Sequence, residues 1–235
     1  RVSFDQPIYT TDTIVKGTLN LLEIIRLLNK DIKLYQASSS EMFGNSIDED
    51  GFQRESTPMV PVSPYACAKL CAYNLVGCYR NSYNTFGTNG ILFNHESPRR
   101  GTSFVTNKVV MGAVRIKKGM QKKLVLGNLD STRDWGHAKD YVKVMWQLLQ
   151  LENSDDFVCA TGTSHSVKDL CEYTFSQLGM NYQDYIEQDE KFMRPQELHH
   201  LKGCTAKLKK TIDVQFEYTF HSMLDEMIEH WANVL

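Results

Sequence analysis

Apolar runs of strand length alternate with apolar stripes of helical period along most of this 235-residue chain. A chain built that way folds as α/β around a mainly parallel sheet. Thr11 to Asn29 carries a broad apolar face through Ile14, Val15, Leu22, Ile25 and Leu28, which predicts a helix. A strand is expected at Lys33–Ser38, and a helix follows with Ser63 as its cap and Pro64 at its first position. "NGILFNHE", Asn89–Glu96, reads as one buried strand. Further helices are expected near Phe104–Lys118, Lys139–Leu151, Val167–Leu178 and Thr219–Trp231, with strands at Leu124–Leu126 and Phe157–Ala160.

In parallel sheets ligands sit beyond the carboxyl ends of the strands. Two polar clusters fall at such ends: Ser39 with Glu41, and Asn94 to Glu96. Ser39 alone reads equally as a turn serine and Glu41 as a solvated loop acid. Tyr65 and Lys69 are four apart on the expected helix and so share a face. An ammonium beside a phenol favours the phenolate, which lowers the tyrosine pKa and suits it to take a proton from a sugar hydroxyl. With 11 tyrosines in the chain, about one such spacing arises by chance, so the pair has meaning only in its context.

The net charge of −2 calls for neither nucleic acid nor an anionic membrane as partner. No apolar run reaches the roughly 18 residues of a membrane helix. The six cysteines contain no CxxC pair. We therefore expect no metal site, and buried free thiols in a reducing, cytoplasmic compartment. His137 reads as a buried hydrogen-bonding residue, Asp134 and Asp140 as partners of nearby loops, and the basic run Arg115 to Lys123 as a solvated turn.

"QASSSEMFG", "SPYACAK", "NGILFNHESPRRG" and "LGNLDSTRDWGHAKDYV" together resemble the GDP-mannose 4,6-dehydratase family of the extended short-chain dehydrogenase/reductase superfamily. The resemblance runs from "VSFD" to the C-terminal helix. It implies a partial doubly wound, Rossmann-type sheet with a smaller C-terminal substrate lobe. Residues 1–100 would be the remainder of the NADP-binding domain, and 101–235 mainly the GDP-sugar lobe, with about 124–165 returning to the Rossmann sheet. The implied reaction takes GDP-mannose to GDP-4-keto-6-deoxy-mannose. Tyr65, with Lys69 and Ser39, would oxidise C4 using NADP; Glu41 would remove the C5 proton; water would leave C6 and hydride return there.

The same resemblance implies cofactor contacts from Tyr9, Lys69, His95 and Arg100, and substrate contacts from Asn94, Lys108, Arg133, Arg194 and Glu197. It implies a homodimer or homotetramer, with the helices at Thr11–Asn29 and Ser63–Ser82 as the pairing faces. One departure lies inside a motif: the family commonly reads "FVTRK" where this chain has "FVTNK", with Asn107. We expect that the lost charge removes one interaction with phosphate or a neighbouring chain. The family's glycine-rich turn is not found: Gly17 and Gly44 are isolated. We therefore expect the chain to be part of a longer protein that continues upstream of Arg1. The alternative is a non-catalytic homologue that binds GDP-sugar or pairs with a complete subunit. A dTDP-glucose dehydratase is a third reading, disfavoured because "SSE" lacks the Asp–Glu pair more usual there.

Overall fold

The computed structural model describes residues 2–28, 31–189, 191 and 198–235. Helices α1 (Val2–Asp5) and α2 (Pro7–Thr11) lead through a widened π turn, Asp12–Lys16, into α3 (Gly17–Leu28). The helix expected from Thr11 is thus real but starts earlier and carries that turn. The Thr18 hydroxyl donates to the Ile14 carbonyl at 2.8 Å, a local bond of the kind that loosens a regular ladder.

Strand β1 (Leu34–Ser39) is followed by a 3₁₀ turn, Ser40–Phe43, and by α4 (Pro64–Tyr83). Ser63 caps α4 by accepting from the Ala66 N–H at 3.1 Å, and Asn84 ends it with φ of +54°. Next come β2 (Gly87–Leu92), β3 (Asn94–Glu96), α5 (Val105–Lys117), β4 (Leu124–Leu126) and β5 (Thr132–His137). Then follow α6 (Ala138–Leu148), β6 (Asp156–Cys159), β7 (Ser164–Ser166), α7 (Val167–Gln177), β8 (Ile186–Gln188), α8 (Ala206–Thr211) and α9 (Phe220–Val234).

The main sheet has the order β1-β2-β6, all parallel, with Leu34 opposite Gly87 and Ser39 opposite Leu92. Both of its faces are covered. Ile91 and Val158 bury one side with Met42, Phe43 and Leu201, while Leu92, Phe157 and Cys159 bury the other against Tyr141, Val144 and Leu148 of α6. That two-sided covering is the doubly wound arrangement that the family resemblance implies. A second layer holds the sheet β3-β5-β7 and the pair β4-β8. Its core joins α5, α7 and α9 through Val110, Ala113, Leu170, Phe175 and Met223 around Trp135.

The expected strand Asn89–Glu96 is two strands in two sheets. The Phe93 N–H makes the last link to the main sheet, donating to the Cys159 carbonyl at 2.9 Å. One residue later Asn94 pairs with Trp135 in the other sheet. The expectation of buried thiols holds for Cys159 and Cys171 but fails for Cys67, Cys71 and Cys78, which are exposed. Spacings of four and seven place those three on the outer stripe of α4, whose inner stripe is Ala68, Ala72, Val76 and Tyr79. Among the described residues no helix is long and apolar enough to cross a membrane.

Gly90 is required by close approach, because a Cβ there would stand 1.8 Å from the Tyr35 hydroxyl. Gly90→Ala should therefore lower stability by about 1–3 kcal/mol, as overpacked cores do. Chemical denaturation of Gly90→Ala with and without Tyr35→Ala checks this. In the Tyr35→Ala chain the glycine substitution should cost nothing further, and an undiminished loss there would refute the clash.

Candidate active site

Strand β1 ends at a cleft of about 540 Å³, within the roughly 300–1,000 Å³ range of small-molecule sites. Its position follows from the chain's own chemistry. The Ser39 hydroxyl accepts from the Glu41 N–H at 3.2 Å and so caps the short turn. Met42 and Phe43, both fully buried, sink that turn into the core. Gly44 closes it with φ of +59°, where a Cβ would meet the Val60 carbonyl oxygen at 1.9 Å. Glu41 is thereby held at the cleft wall with Ser39. Ser39 is both a turn cap and a cleft residue, so the two readings of it coexist.

The start of α4 supplies Tyr65 and Lys69 to the same wall. Lys69 Nζ donates to the Ala37 carbonyl at 2.9 Å, pinning the helix to β1. Its ammonium lies 5.7 Å from the centre of the Tyr65 ring, over the face. The pKa of Tyr65 is raised, not lowered as expected. Burial of the phenol is the main cause and the Glu41 charge adds to it, while a hydrogen bond from Ser39 and the Arg100 charge pull the other way. Burial also lowers the Lys69 pKa. The expected ammonium effect is outweighed by burial of the phenol.

The opposite wall comes from the end of β2 and from β3, with Asn94 and His95, and from the following loop with Arg100. His95 Nδ1 is 2.9 Å from the Phe93 carbonyl and must carry the proton to bond there, leaving Nε2 as an acceptor. Burial lowers the His95 pKa, and the ring stacks on Tyr141. Arg100 lies with its guanidinium carbon 3.6 Å from the Phe104 ring centre. Its Nε approaches the Glu96 carboxylate at 3.2 Å. Glu96 is buried and accepts from the Thr106 hydroxyl at 2.5 Å. Burial raises the Glu96 pKa, against the pull of Arg100 and Thr106.

Asn107 is not a surface position that has merely lost a charge. It is fully buried, donates from Nδ2 to the Arg100 carbonyl and accepts at Oδ1 from the Trp231 indole. Three other expected site residues lie off the cleft wall. Tyr9 is exposed on α2 while its neighbour Thr10 lines the cleft. Lys108 Nζ donates to the Val125 carbonyl at 2.6 Å, and Arg133 Nη1 to the Thr132 carbonyl at 2.8 Å. Arg194 and Glu197 lie outside the described residues.

Thr10, Ser63 and Phe104 line the cleft without having been singled out as site residues. Ser63 carried a signal only as a helix cap, and Phe104 carried none. Asp134 is a buried loop organiser, accepting from the Thr161 N–H and hydroxyl and from the Gly162 N–H. Asp140 accepts from the Glu217 and Tyr218 N–H groups. His137 caps α6, accepting at Nδ1 from the Lys139 N–H at 3.0 Å, and its Nε2 lies 3.0 Å from Glu226.

The likeness to known proteins is specific. Residues 1–227 match the family model described as GDP-mannose 4,6 dehydratase. The chain belongs to the GDP-mannose 4,6-dehydratase family. It is 47% identical over 236 residues to GDP-mannose 4,6 dehydratase 1 of Arabidopsis thaliana, covering 97% of this chain and 64% of that protein. It is 42% identical over 256 residues to GDP-mannose 4,6-dehydratase of Vibrio cholerae, covering 97% and 68%. The chain thus spans less than two thirds of the length of the Arabidopsis relatives it matches. Among solved structures, RMD from Pseudomonas aeruginosa complexed with NADPH superposes with a TM-score of 0.89 at 24% identity, over 99% of this chain and 77% of that one. At that identity the likeness shows the fold alone. The dTDP-glucose 4,6-dehydratase of Bacillus anthracis in complex with NAD gives a TM-score of 0.84 at 26% identity, over 95% and 68%.

His137 offers a pH test of this dehydratase-family fold. Burial, the leading cause, lowers its pKa below the ordinary 6.5, so the folded state holds the proton less tightly than the unfolded chain. Its contribution is present above about pH 6.5 and is lost as pH falls below that. His137→Asn keeps a capping acceptor without the titration. Denaturation midpoints between pH 8 and 5.5 should fall more steeply for the native chain, by up to about 1.4 kcal/mol per pH unit. Parallel curves would refute the assignment.

Proposed function

We propose that the protein carrying this chain is an NADP-dependent GDP-mannose 4,6-dehydratase, a hydro-lyase that makes GDP-4-keto-6-deoxy-mannose. The observation that carries the reading is that Ser39, Glu41, Tyr65 and Lys69 meet in one cleft at the carboxyl end of β1. A pure binding module has no use for a phenol, an amine, a hydroxyl and a carboxylate gathered there. The cleft also suits a nicotinamide nucleotide: Lys69 and Arg100 offer cationic donors, and Leu92 and Phe93 offer apolar wall. The relatives are named as GDP-mannose dehydratases, and the structural neighbours carry NADPH or NAD.

When bound, the cofactor supplies the hydride acceptor for C4, the hydride donor for C6, and a positive charge that favours phenolate. Tyr65 Oη takes the C4 hydroxyl proton, and the Ser39 hydroxyl donates to the phenolate as that charge develops. Glu41 then removes the C5 proton, made acidic by the new C4 carbonyl, and gives it to the C6 hydroxyl, which leaves as water; the proton that Tyr65 took from the C4 hydroxyl returns to C5 when C6 is reduced. Lys69, tied to Ala37, keeps the ring face of Tyr65 fixed. Tyr9, Lys69, His95 and Arg100 hold the cofactor. Asn94, Lys108, Arg133, Arg194 and Glu197 hold the GDP-sugar.

Residues 1–100 form the cofactor part and 101–235 the sugar-nucleotide part, with β6 returning to the main sheet beside β2. We assign the protein to the cytoplasm, on its six free cysteines. We also assign it a homodimer or homotetramer. The outer stripe of α3 exposes Leu21, Ile24 and Leu28 beside that of α4, an apolar face suited to a second copy.

In the full protein, GDP-mannose with NADP⁺ should give a product lighter by one water, read by mass spectrometry. Tyr65→Phe should lower turnover by roughly 10²–10⁴-fold. Glu41→Gln should still reduce bound NADP⁺, seen as nicotinamide absorbance, but lose dehydration. A native protein that binds GDP-mannose without releasing water would sink the enzyme reading in favour of a binding homologue. Dehydration by Glu41→Gln at the native rate would remove Glu41 from its role.

A further inference from the structure

The C-terminal helix is wired to the cleft through one amide. The Trp231 indole on α9 donates from Nε1 to Asn107 Oδ1 at 2.5 Å. Asn107 Nδ2 donates to the Arg100 carbonyl, also at 2.5 Å. An indole only donates and a carbonyl only accepts, so the amide has one orientation open to it. An amide offers an acceptor and a donor at once, and its two near-isosteres do not. Asp accepts but cannot donate to a carbonyl, and Leu does neither. Asn107 is fully buried, so either loss leaves polar groups without water.

The bond acts on a residue already fixed on its other sides. The Arg100 N–H donates to the Ser97 carbonyl at 2.9 Å, closing the turn. Its guanidinium is held between the Phe104 ring and Glu96, and Glu96 is held by Thr106. Phe104, Thr106 and Asn107 all sit at the start of α5. The helix end therefore fixes side chain and backbone of Arg100 together, and Asn107 extends the hold to α9.

We propose that Asn107 is a positioning residue for ligand binding: through Trp231 and the Arg100 carbonyl it sets where the Arg100 guanidinium meets a nucleotide phosphate. This rests on the reading of the cleft as a nucleotide site. The phosphate belongs to the dinucleotide cofactor or to the sugar nucleotide, and both are measured.

Asn107→Asp keeps size and the indole's acceptor but sets a carboxylate oxygen against the Arg100 carbonyl. In the full protein it should weaken NADPH binding, read by fluorescence titration, by about tenfold. Turnover at saturating cofactor should stay within about twofold, and GDP-mannose affinity should not move. In an Arg100→Ala background the same substitution should change affinity less than about twofold, which a merely structural role would not produce. A loss falling on GDP-mannose instead still supports the relay and assigns Arg100 to that phosphate. Unchanged affinity for both ligands in folded Asn107→Asp, or a full effect in the Arg100→Ala background, overturns it. If thermal unfolding shows that Asn107→Asp does not fold, Trp231→Phe, which removes only the indole donor and its ring edge, is judged by the same criteria. A native protein that binds NADPH but makes no product would sink the dehydratase reading while leaving the relay standing.

Discussion

The parallel register of β1 and β2 is the constraint on which the site depends. Ser39 stands opposite Leu92, so both strands leave the sheet at the same level. Everything chemical follows from that rung. The residues just past β1 are Ser40 and Glu41, and those just past β2 are Phe93, Asn94 and His95. They become two walls of one cleft because parallel strands present the same end together. A register slip of one residue would turn each side chain of the slipped strand to the opposite face of the sheet. The sheet is covered on both sides, by Met42, Phe43 and Leu201 on one and by α6 on the other, so the core itself forbids the slip.

The third wall arrives by a different force. Helix α4 docks on β1 by its inner stripe of Ala68, Ala72 and Val76. Small residues let the helix lie close to the strand. Lys69 can then reach the Ala37 carbonyl. The same bond takes one of the three ammonium donors out of the cleft. Lys69 thus acts as a clasp, and its closeness to Tyr65 is a product of helix docking rather than of attraction between the two.

Much of this was legible in the sequence, for reasons that mark the limit. Alternation of period and the capped start of α4 are local signals, and Ser39, Glu41, Tyr65, Lys69, Asn94 and His95 meet at one cleft because strand ends and helix starts are local too, whereas Arg100, also on that cleft, is expected only from the family resemblance. Strand β5, "TRDWGH", was illegible. Its Asp134 is buried because the N–H groups of Thr161 and Gly162, distant in sequence, satisfy it, and no pattern of hydropathy announces such a debt. The break at Phe93 was hidden because Asn94 to Glu96 continue the strand-like run while pairing elsewhere. In the sequence alone Asn107 shows only as a charge removed. Its two partners, one of them 124 residues away, are visible only in three dimensions.

The direction of the Tyr65 shift shows what the chain contributes and what it leaves to its ligands. Burial holds Tyr65 as a phenol and makes the Lys69 amine less basic, so both groups lean toward neutrality. Glu41 opposes ionisation of the phenol further. A cleft that favours neutral tyrosine beside a carboxylate keeps Tyr65 and Glu41 from being charged together until something positive enters. Ser39 stands at the hinge of that balance. Its oxygen accepts from the Glu41 backbone and its hydroxyl hydrogen is left for Tyr65. One side chain therefore couples the placement of Glu41 to the acidity of Tyr65. A chain with alanine at position 39 would loosen the turn that carries Glu41 and raise Tyr65 further at the same time.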